Sequence, residues 1–501
     1  MMLKIDHILL VFLSLGIALA GPISCRREQG KTEIDRIVLV TFDTLRADHL
    51  SCYGYPRPTS PFIDCLAAEG VRFLKTYASM PTTVPSHASI FTSLYPIQMN
   101  VLKNGHRLDD SFITLAEVLR PAGYATAAFI STDQHFAQGN LLQGFDYVNQ
   151  PDLDKDDLYR PADQQVSAVI SWLEGIKPDE RFFLWLHFYD THSSYMPPPE
   201  ILDRFVGITE AEKKEFTRFL IDEQHIEPEF FSLLPEDYLR DTIDMNRYGH
   251  KRGDDVETMV RIINAYDGEV RFLDTEMERL FLYFQQKGLE KNTLWVLTSD
   301  HGEGLGNHWW LEHSKYLYQE QIHVPLIFYG PGCIDSGKVR EDITGLVDIF
   351  PTIAELSGLS PGEEIKESQG VSLSPSLTAR DAAHDAWTLS SRYAIAQRRH
   401  FNEPDTDDMI SPDEGYEGET FSIQNDRYKY ILRTAAEDGF YDLRQDPYEV
   451  DNQSGRGGEV ERELKEILIE RIDYLKSTLR GQPETIGQEG IDKLRALGYL
   501  Q

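Results

Sequence analysis

Two stretches about 250 residues apart, IVLVTFDTLRADHL from Ile37 to Leu50 and LWVLTSDHGEGLG from Leu294 to Gly306, each run an apolar strand into acidic and imidazole side chains. Asp43 and Asp300 stand at the carboxyl ends of those strands, where parallel-sheet proteins bind their ligands. A buried carboxylate is costly unless a cation or hydrogen-bond donors compensate it. Two of them followed by His301 therefore indicate one divalent-metal site. The structural alternative, for either segment alone, is an aspartate capping a helix.

A third segment, ASMPTTVPSHASIFTSLYP from Ala78 to Pro96, gathers hydroxyls and an imidazole in a proline-punctuated turn. A hydroxyl becomes a nucleophile when a cation lowers its pKa and a neighbour accepts its proton. SHASIFTSLY reads as a helix beginning near Ser86. Its free N–H groups and partial positive charge would suit an incoming sulfate or phosphate. Thr and Ser beside Pro also cap helices, and both roles can hold together.

Here the chain resembles the sulfatase family, whose nucleophile motif is Cys or Ser, any residue, Pro, Ser, Arg. Thr83-Val84-Pro85-Ser86-His87 falls on it. The likeness continues through SCYGYPRPTSPFIDCLAAEGVRF, LWLHFYDTHSSYMPPP, TSDHGE and HSKYLYQEQIHVPLIFYGPG in the family's order. The resemblance implies Thr83 as nucleophile, with Ser86 and Thr82 as lesser candidates. Typical members oxidise the Cys or Ser to formylglycine; threonine lacks that route, so formylglycine is not expected. The broader alkaline phosphatase superfamily includes phosphatases and phosphotransferases that use a threonine.

The same likeness implies that Lys315 binds the ester's terminal oxygens and that His192 contacts the same group or the leaving oxygen. His87 stands at the family's Arg position and is expected to help hold the anion, with His313 and His308 as weaker candidates. The implied metal ligands are Asp43, Asp300, His301 and ionised Thr83. Thr44 occupies the place of a second family Asp and is the least secure of the set. Calcium is the family's ion; an imidazole ligand moves preference toward manganese or zinc, and magnesium also suits oxygen ligands. A two-zinc centre would need Asp190, His192 and His313 as further ligands.

These residues need a scaffold, and the pattern supplies one. ATAAFI, RFFLWLHF, TLWVLTS and VPLIFYG read as strands between amphipathic helices. Such alternation predicts an α/β fold with a mainly parallel sheet sandwiched by helices, alkaline-phosphatase-like by resemblance. Past the Pro-Gly turn near Ser360, WTLSSRYAIA, FSIQNDRYKYILRT and GFYDLRQDPYEVDN read as an antiparallel sheet, followed by a helix with Val460, Leu464, Ile467, Ile472 and Leu475 on one face. The expected divisions are an export signal and linker at 1–30, a catalytic domain at 31–370, a C-terminal α+β subdomain at 371–481 and a tail at 482–501. The charged, aromatic-rich stretch 203–252 reads as an insertion near the active-site mouth, and HFNEPDTDDMISPDEGYEGE reads as an acidic loop.

The chain's 501 residues, 41% apolar, suffice for one large core with a smaller attached domain. A net charge of −33 argues against a nucleic-acid partner. An anionic substrate must then enter a locally positive cleft. Lys4 precedes an apolar run from Ile8 to Ala20 that ends in Ala18-Leu19-Ala20, a secretory signal too short to span a bilayer. The expected location is periplasmic or secreted. Lipid attachment at Cys25 is the alternative, though Pro22 stands where such signals usually carry Leu, and a membrane partner is expected only in that case. Cys25, Cys52, Cys65 and Cys333 allow three disulfide pairings that spacing alone does not decide.

The expected function is metal-dependent cleavage of a small-molecule or glycan sulfate ester by Thr83. The alternatives are phosphate monoester or diester hydrolysis, phosphoryl transfer, or binding without catalysis.

Overall fold

Strand β1 (Arg36–Phe42) is buried along its whole length, as its apolar run Ile37–Val40 requires in a sheet covered on both faces. Its alternate side chains enter two different cores. Val38, Val40 and Phe42 pack in one, Ile37 and Leu39 in the other. The computed structural model describes residues 33–132, 135–151, 159–177, 179–243, 253–359, 367–378, 392–401 and 418–480.

The other strands of the main sheet are β2 (Val71–Tyr77), β3 (Ala125–Ile130), β4 (Tyr147–Asn149), β5 (Phe182–Phe188), β6 (Thr293–Ser299), β7 (His323–Tyr329) and β8 (Lys338–Gly345). They lie in the order β4-β3-β5-β1-β6-β7-β2-β8. Neighbours run parallel except around β7, which is antiparallel to both β6 and β2. VPLIFYG is thus a strand as expected, but reversed. The chain between β6 and β7 holds only short helical turns at Asn307–Trp309 and Gln319–Ile322. With no crossover helix to carry it back, β7 returns from the edge at which β6 ended.

Helices α1 (Pro61–Glu69), α3 (Ala162–Leu173) and the 32-residue α4 (Asp255–Gln286) cover one face of the sheet, while α2 (Thr83–Thr92) and α5 (Ile349–Leu356) cover the other. Beyond them, β9 (Ala394–Phe401), β10 (Gly418–Gln424), β11 (Tyr428–Arg433) and β12 (Gly439–Asp442) form an antiparallel sheet in the order β12-β11-β10-β9. Helix α6 (Gly458–Ser477) lays Leu464, Leu468, Ile472 and Leu475 against it. This small sheet is tied to the main body at Gln397, whose N–H donates to the Ser79 carbonyl at 2.9 Å.

Within the expected insertion, short helices occupy Pro199–Val206, Glu210–Arg218 and Glu236–Thr242. The export segment with Cys25, most of the acidic loop (402–417) and the tail 482–501 lie outside the described residues. Cys52, Cys65 and Cys333 are free thiols. Among the described residues, no helix is long and apolar enough to cross a membrane.

Candidate metal centre and active site

Because β1 lies between β5 and β6 with all three parallel, Phe42 pairs with Phe188 on one side and Ser299 on the other. The residues that follow, Asp43 and Asp300, therefore leave the sheet side by side. The Ser299 hydroxyl stitches the two ends together, donating to the carbonyls of Phe42 and His301, each at 2.6 Å. His301 Nε2 lies 3.4 Å from Asp300 Oδ2 and 3.9 Å from Asp43 Oδ1. One ligand atom from each of these three residues lies within 4.8 Å of the others. Thr83 Oγ1 joins them at 3.3 Å from His301 Nε2. All four side chains are fully buried.

The surroundings suit a divalent cation. His301 Nδ1 faces the Gly302 carbonyl at 3.0 Å, so the proton belongs there and the Nε2 lone pair points into the cluster. Asp300 Oδ1 accepts N–H bonds from His301 at 2.8 Å and Thr44 at 3.3 Å, whereas Asp300 Oδ2 has no hydrogen-bond partner. A buried carboxylate oxygen left this way calls for a positive charge. Burial and the neighbouring charge of Asp43 push the Asp300 carboxyl well above the ordinary range. Burial also opposes ionisation of Asp43, yet His187, His192 and His301 together hold it below its usual value. Burial drives His301 well below the ordinary imidazole range, with His313 adding to the effect. A neutral imidazole beside a carboxylate pair that shares one proton is a ligand set awaiting a cation.

Thr44 is positioned by its backbone. At φ 59° it is a β-branched residue in the left-handed region, a strained conformation. Its hydroxyl donates to the Thr191 carbonyl at 2.6 Å, and its carbonyl accepts from the Tyr266 hydroxyl at 2.9 Å. The hydroxyl proton thus goes to Thr191, and the group that reaches Asp300 is the Thr44 N–H.

Helix α2 starts at Thr83, three residues before the expected Ser86. Proline is tolerated in a first turn, which lets the helix begin ahead of Pro85. Of its first N–H groups, Val84 N donates to Asn104 Oδ1 at 2.8 Å, Pro85 has none, and Ser86 N donates to the Thr82 carbonyl at 3.0 Å. The lesser hydroxyls are engaged elsewhere. Ser86 Oγ donates to the Asp300 carbonyl at 2.6 Å, and Thr82 Oγ1 donates to Ser314 Oγ at 3.0 Å.

His87 Nδ1 lies 3.6 Å from Asp300 Oδ2, and the ring also belongs to a hydrogen-bonded network behind Thr83. Trp185 Nε1 donates to Thr41 Oγ1 at 2.9 Å, Thr41 faces His87 Nε2 at 3.0 Å, and His87 Nδ1 faces the Thr83 carbonyl at 2.8 Å. With Nδ1 donating and Nε2 accepting, the ring is neutral. Burial and His187 hold its pKa down to about 3. It fixes the backbone of Thr83.

His313, His192 and Glu303 gather beside His301. The His313 ring centre is 4.6 Å from that of His301 and 5.0 Å from that of His192. Glu303 Oε1 is 3.1 Å from His313 Nδ1, and burial raises the Glu303 carboxyl to about 8. His192 Nδ1 meets the Ser193 carbonyl at 2.7 Å, and its ring stacks on Tyr189. Lys315, also buried, places Nζ 4.0 Å from the centre of the Trp310 ring. His308 is elsewhere: it pairs with Glu320 at 2.8 Å and stacks on Tyr318. Asp190 accepts the N–H of Ala162 at 2.9 Å, at the start of α3. Among the described residues, Asp43, Asp300 and His301 form the one cluster of this kind, so a two-metal centre finds no support.

The loop after β6 is held by residues the sequence reading passed over. Arg46, fully buried, donates to the carbonyls of Glu303 and Gly304 and to Asn307 Oδ1. Gly302 and Gly304 are required by close approach, since a Cβ would lie 2.0 Å from the Glu320 carbonyl oxygen and 2.3 Å from that of Trp310 respectively. Glu303 stood inside the TSDHGE run and could have been read from it. His187 and Asn104 carried no signal of their own in apolar or turn-like surroundings.

A family model described as Sulfatase matches residues 35–359, and one described as N-sulphoglucosamine sulphohydrolase, C-terminal, matches residues 306–476. An N-acetylglucosamine-6-O-sulfatase of Bacteroides thetaiotaomicron is 24% identical over 96% of this chain and 94% of its own. A structure of BT4656 in complex with its substrate D-glucosamine-2-N,6-O-disulfate superposes with a TM-score of 0.69 at 23% identity, covering 88% of this chain and 98% of that one. The phosphonate monoester hydrolase of Agrobacterium radiobacter superposes with a TM-score of 0.66 at 22% identity, covering 88% and 95%.

Proposed function

The chain belongs to the sulfatase family, and on that premise we propose that it is an exported, divalent-metal-dependent sulfuric ester hydrolase with Thr83 as its nucleophile. The observation that carries this reading is the placement of Thr83 Oγ1 3.3 Å from His301 Nε2, at the Asp43, Asp300 and His301 cluster. A divalent cation held there, calcium by family habit and manganese or zinc by virtue of the imidazole, supplies the charge that acidifies a neighbouring hydroxyl and offsets charge on the ester.

The chain's own residues account for the rest. Thr83, ionised with its hydroxyl proton given up to solvent, forms a bond from Oγ to sulfur while the bond from sulfur to the leaving oxygen breaks. His313, oriented by Glu303, gives that oxygen its proton, and His192 and Lys315 hold the anion. Water then attacks sulfur, passing its proton to His313, and the bond from sulfur to Thr83 Oγ breaks, because a secondary alcohol cannot expel sulfate by collapsing to an aldehyde. The named relative and the bound disulfate of the structural neighbour support a sulfated sugar as substrate. The apolar run behind Lys4 supports export to the periplasm or beyond.

A phosphate or phosphonate ester is the second reading, favoured by threonine at position 83 and by the phosphonate hydrolase likeness. Side-by-side assays with aryl sulfate, phosphate and phosphonate esters separate the two. Thr83→Ala should lower turnover by roughly a thousandfold or more with the fold intact by circular dichroism. Mass spectrometry of the peptide carrying Thr83 should show a trapped sulfo or phospho adduct. Wild-type rates in the alanine variant, or full activity after exhaustive chelation, would overturn the proposal.

A further inference from the structure

His187 is a polar residue in a place that suits a hydrocarbon. It stands in β5 opposite Thr41 of β1, on the same side of the sheet as Asp43, and is fully buried. Phe136, His87 and Trp185 surround its ring at centre-to-centre distances of 4.8, 5.4 and 6.2 Å. Its main chain is pinned, the carbonyl accepting from Ser131 Oγ at 2.7 Å and Gln165 Nε2 at 2.9 Å. Nδ1 has no hydrogen-bond partner, and Nε2 has none apart from a long contact to one carboxylate. A phenylalanine or leucine would fill such an aromatic cage without burying two polar atoms, so packing alone does not account for an imidazole. The polar group that it approaches is Asp43: Nε2 lies 3.4 Å from Oδ2, while Oδ1 of the same carboxylate faces His301 Nε2 at 3.9 Å.

We propose that His187 is a positioning residue for the metal centre, its Nε2–H holding Asp43 Oδ2 so that Oδ1 is presented to the cation. Resting on the metal-dependent reading above, it adds a residue from a third strand to the support of the site. A ligating carboxylate with one oxygen on a fixed donor loses little freedom when it binds, and loss of such outer partners typically costs about 10- to 100-fold in metal affinity.

The test is calorimetric titration of metal-stripped protein with Ca²⁺ and with Mn²⁺, alongside the melting temperature of the metal-free form. His187→Leu should weaken cation binding by about 10- to 100-fold while the metal-free protein melts no lower than wild type. His187→Gln, whose amide restores an N–H donor, should recover most of the affinity. Wild-type binding by the leucine variant overturns the proposal. So does a glutamine variant that binds no better than leucine or, where the leucine protein fails to fold, one that binds about 10-fold or more weakly than wild type. If wild type itself binds neither ion, the metal reading falls and this role falls with it. Wild-type binding with an indifferent His187 removes this role alone.

Discussion

Buried ionisable residues tie this site to pH in ways that single substitutions separate. His87 has an ordinary pKa of 6.5 in the unfolded chain and about 3 in the folded one. Its share of stability is therefore complete above 6.5 and is lost as pH falls toward 3, because only the unfolded chain takes up the proton. His192 and His301 are shifted the same way by burial. Glu303 and Asp190, raised by burial to about 8 and about 7, act in the opposite sense, adding stability as pH falls below those values. Comparison of wild type with His87→Leu isolates one contribution. The melting temperature should fall less for the variant than for wild type between about pH 7 and pH 5, and equal slopes would show that His87 carries a proton in the fold. Asp300 makes the second prediction at this scale. Its proton must leave before a cation binds, so affinity for Mn²⁺ should rise with pH, by up to about tenfold per unit while the carboxyl is still protonated. Calorimetry in buffers of differing ionisation enthalpy should record that proton's release.

At the scale of elements, the residues that carry chemistry and the segments that hold them were not equally legible. Asp43 and Asp300 were readable because a strand buried on both faces is mainly apolar and the first acidic residue after it marks the sheet's edge. The reversed direction of β7 was not, since strand direction depends on the connection and not on the strand's own composition. The start of α2 was misplaced because Pro85 looks like a boundary, whereas a first turn accommodates it. His187 was invisible for a related reason: in LWLHF the pattern is that of a core strand, and only the register with β1 brings the imidazole to Asp43. The loop after β6 was legible as chemistry but not as structure. Asn307 accepts from Arg46 at 2.9 Å and donates to the Gln224 carbonyl at 2.7 Å, joining the loop after β6 to the insertion. Tyr238 adds a second tie, donating to Glu312 at 2.6 Å. Asn307→Ala should cost about 1–3 kcal/mol through the buried groups left unpaired. It should reduce kcat by more than that loss of folded protein explains, since Arg46 also supports the carbonyl of Glu303. A melting curve and a kcat measured on the same preparation check this, and unchanged kcat in a destabilised protein would reduce the tie to a purely structural one.

For the whole molecule, the decisive quantity is charge. A net −33 repels every anionic ester from a distance, whereas a buried basic side chain such as Lys315 acts only at close range. Salt screens the first effect far more than the second, because buried charges lie within the screening length of whatever they bind. Raising ionic strength from about 10 mM to about 0.1 M shortens that length from about 30 Å to about 10 Å, which removes most of the long-range repulsion. kcat/KM should accordingly rise with salt over that interval. The gain should be larger for a dianionic aryl phosphate than for a monoanionic aryl sulfate, since the repulsion scales with substrate charge. Low salt would then favour the sulfate ester and high salt would narrow the difference, so a preference measured at one ionic strength misstates the intrinsic selectivity of the site. A kcat/KM that falls with salt for both esters would mean that the cleft's positive groups dominate the field out to the distance of encounter, and the acidic exterior would then have no part in selecting the substrate.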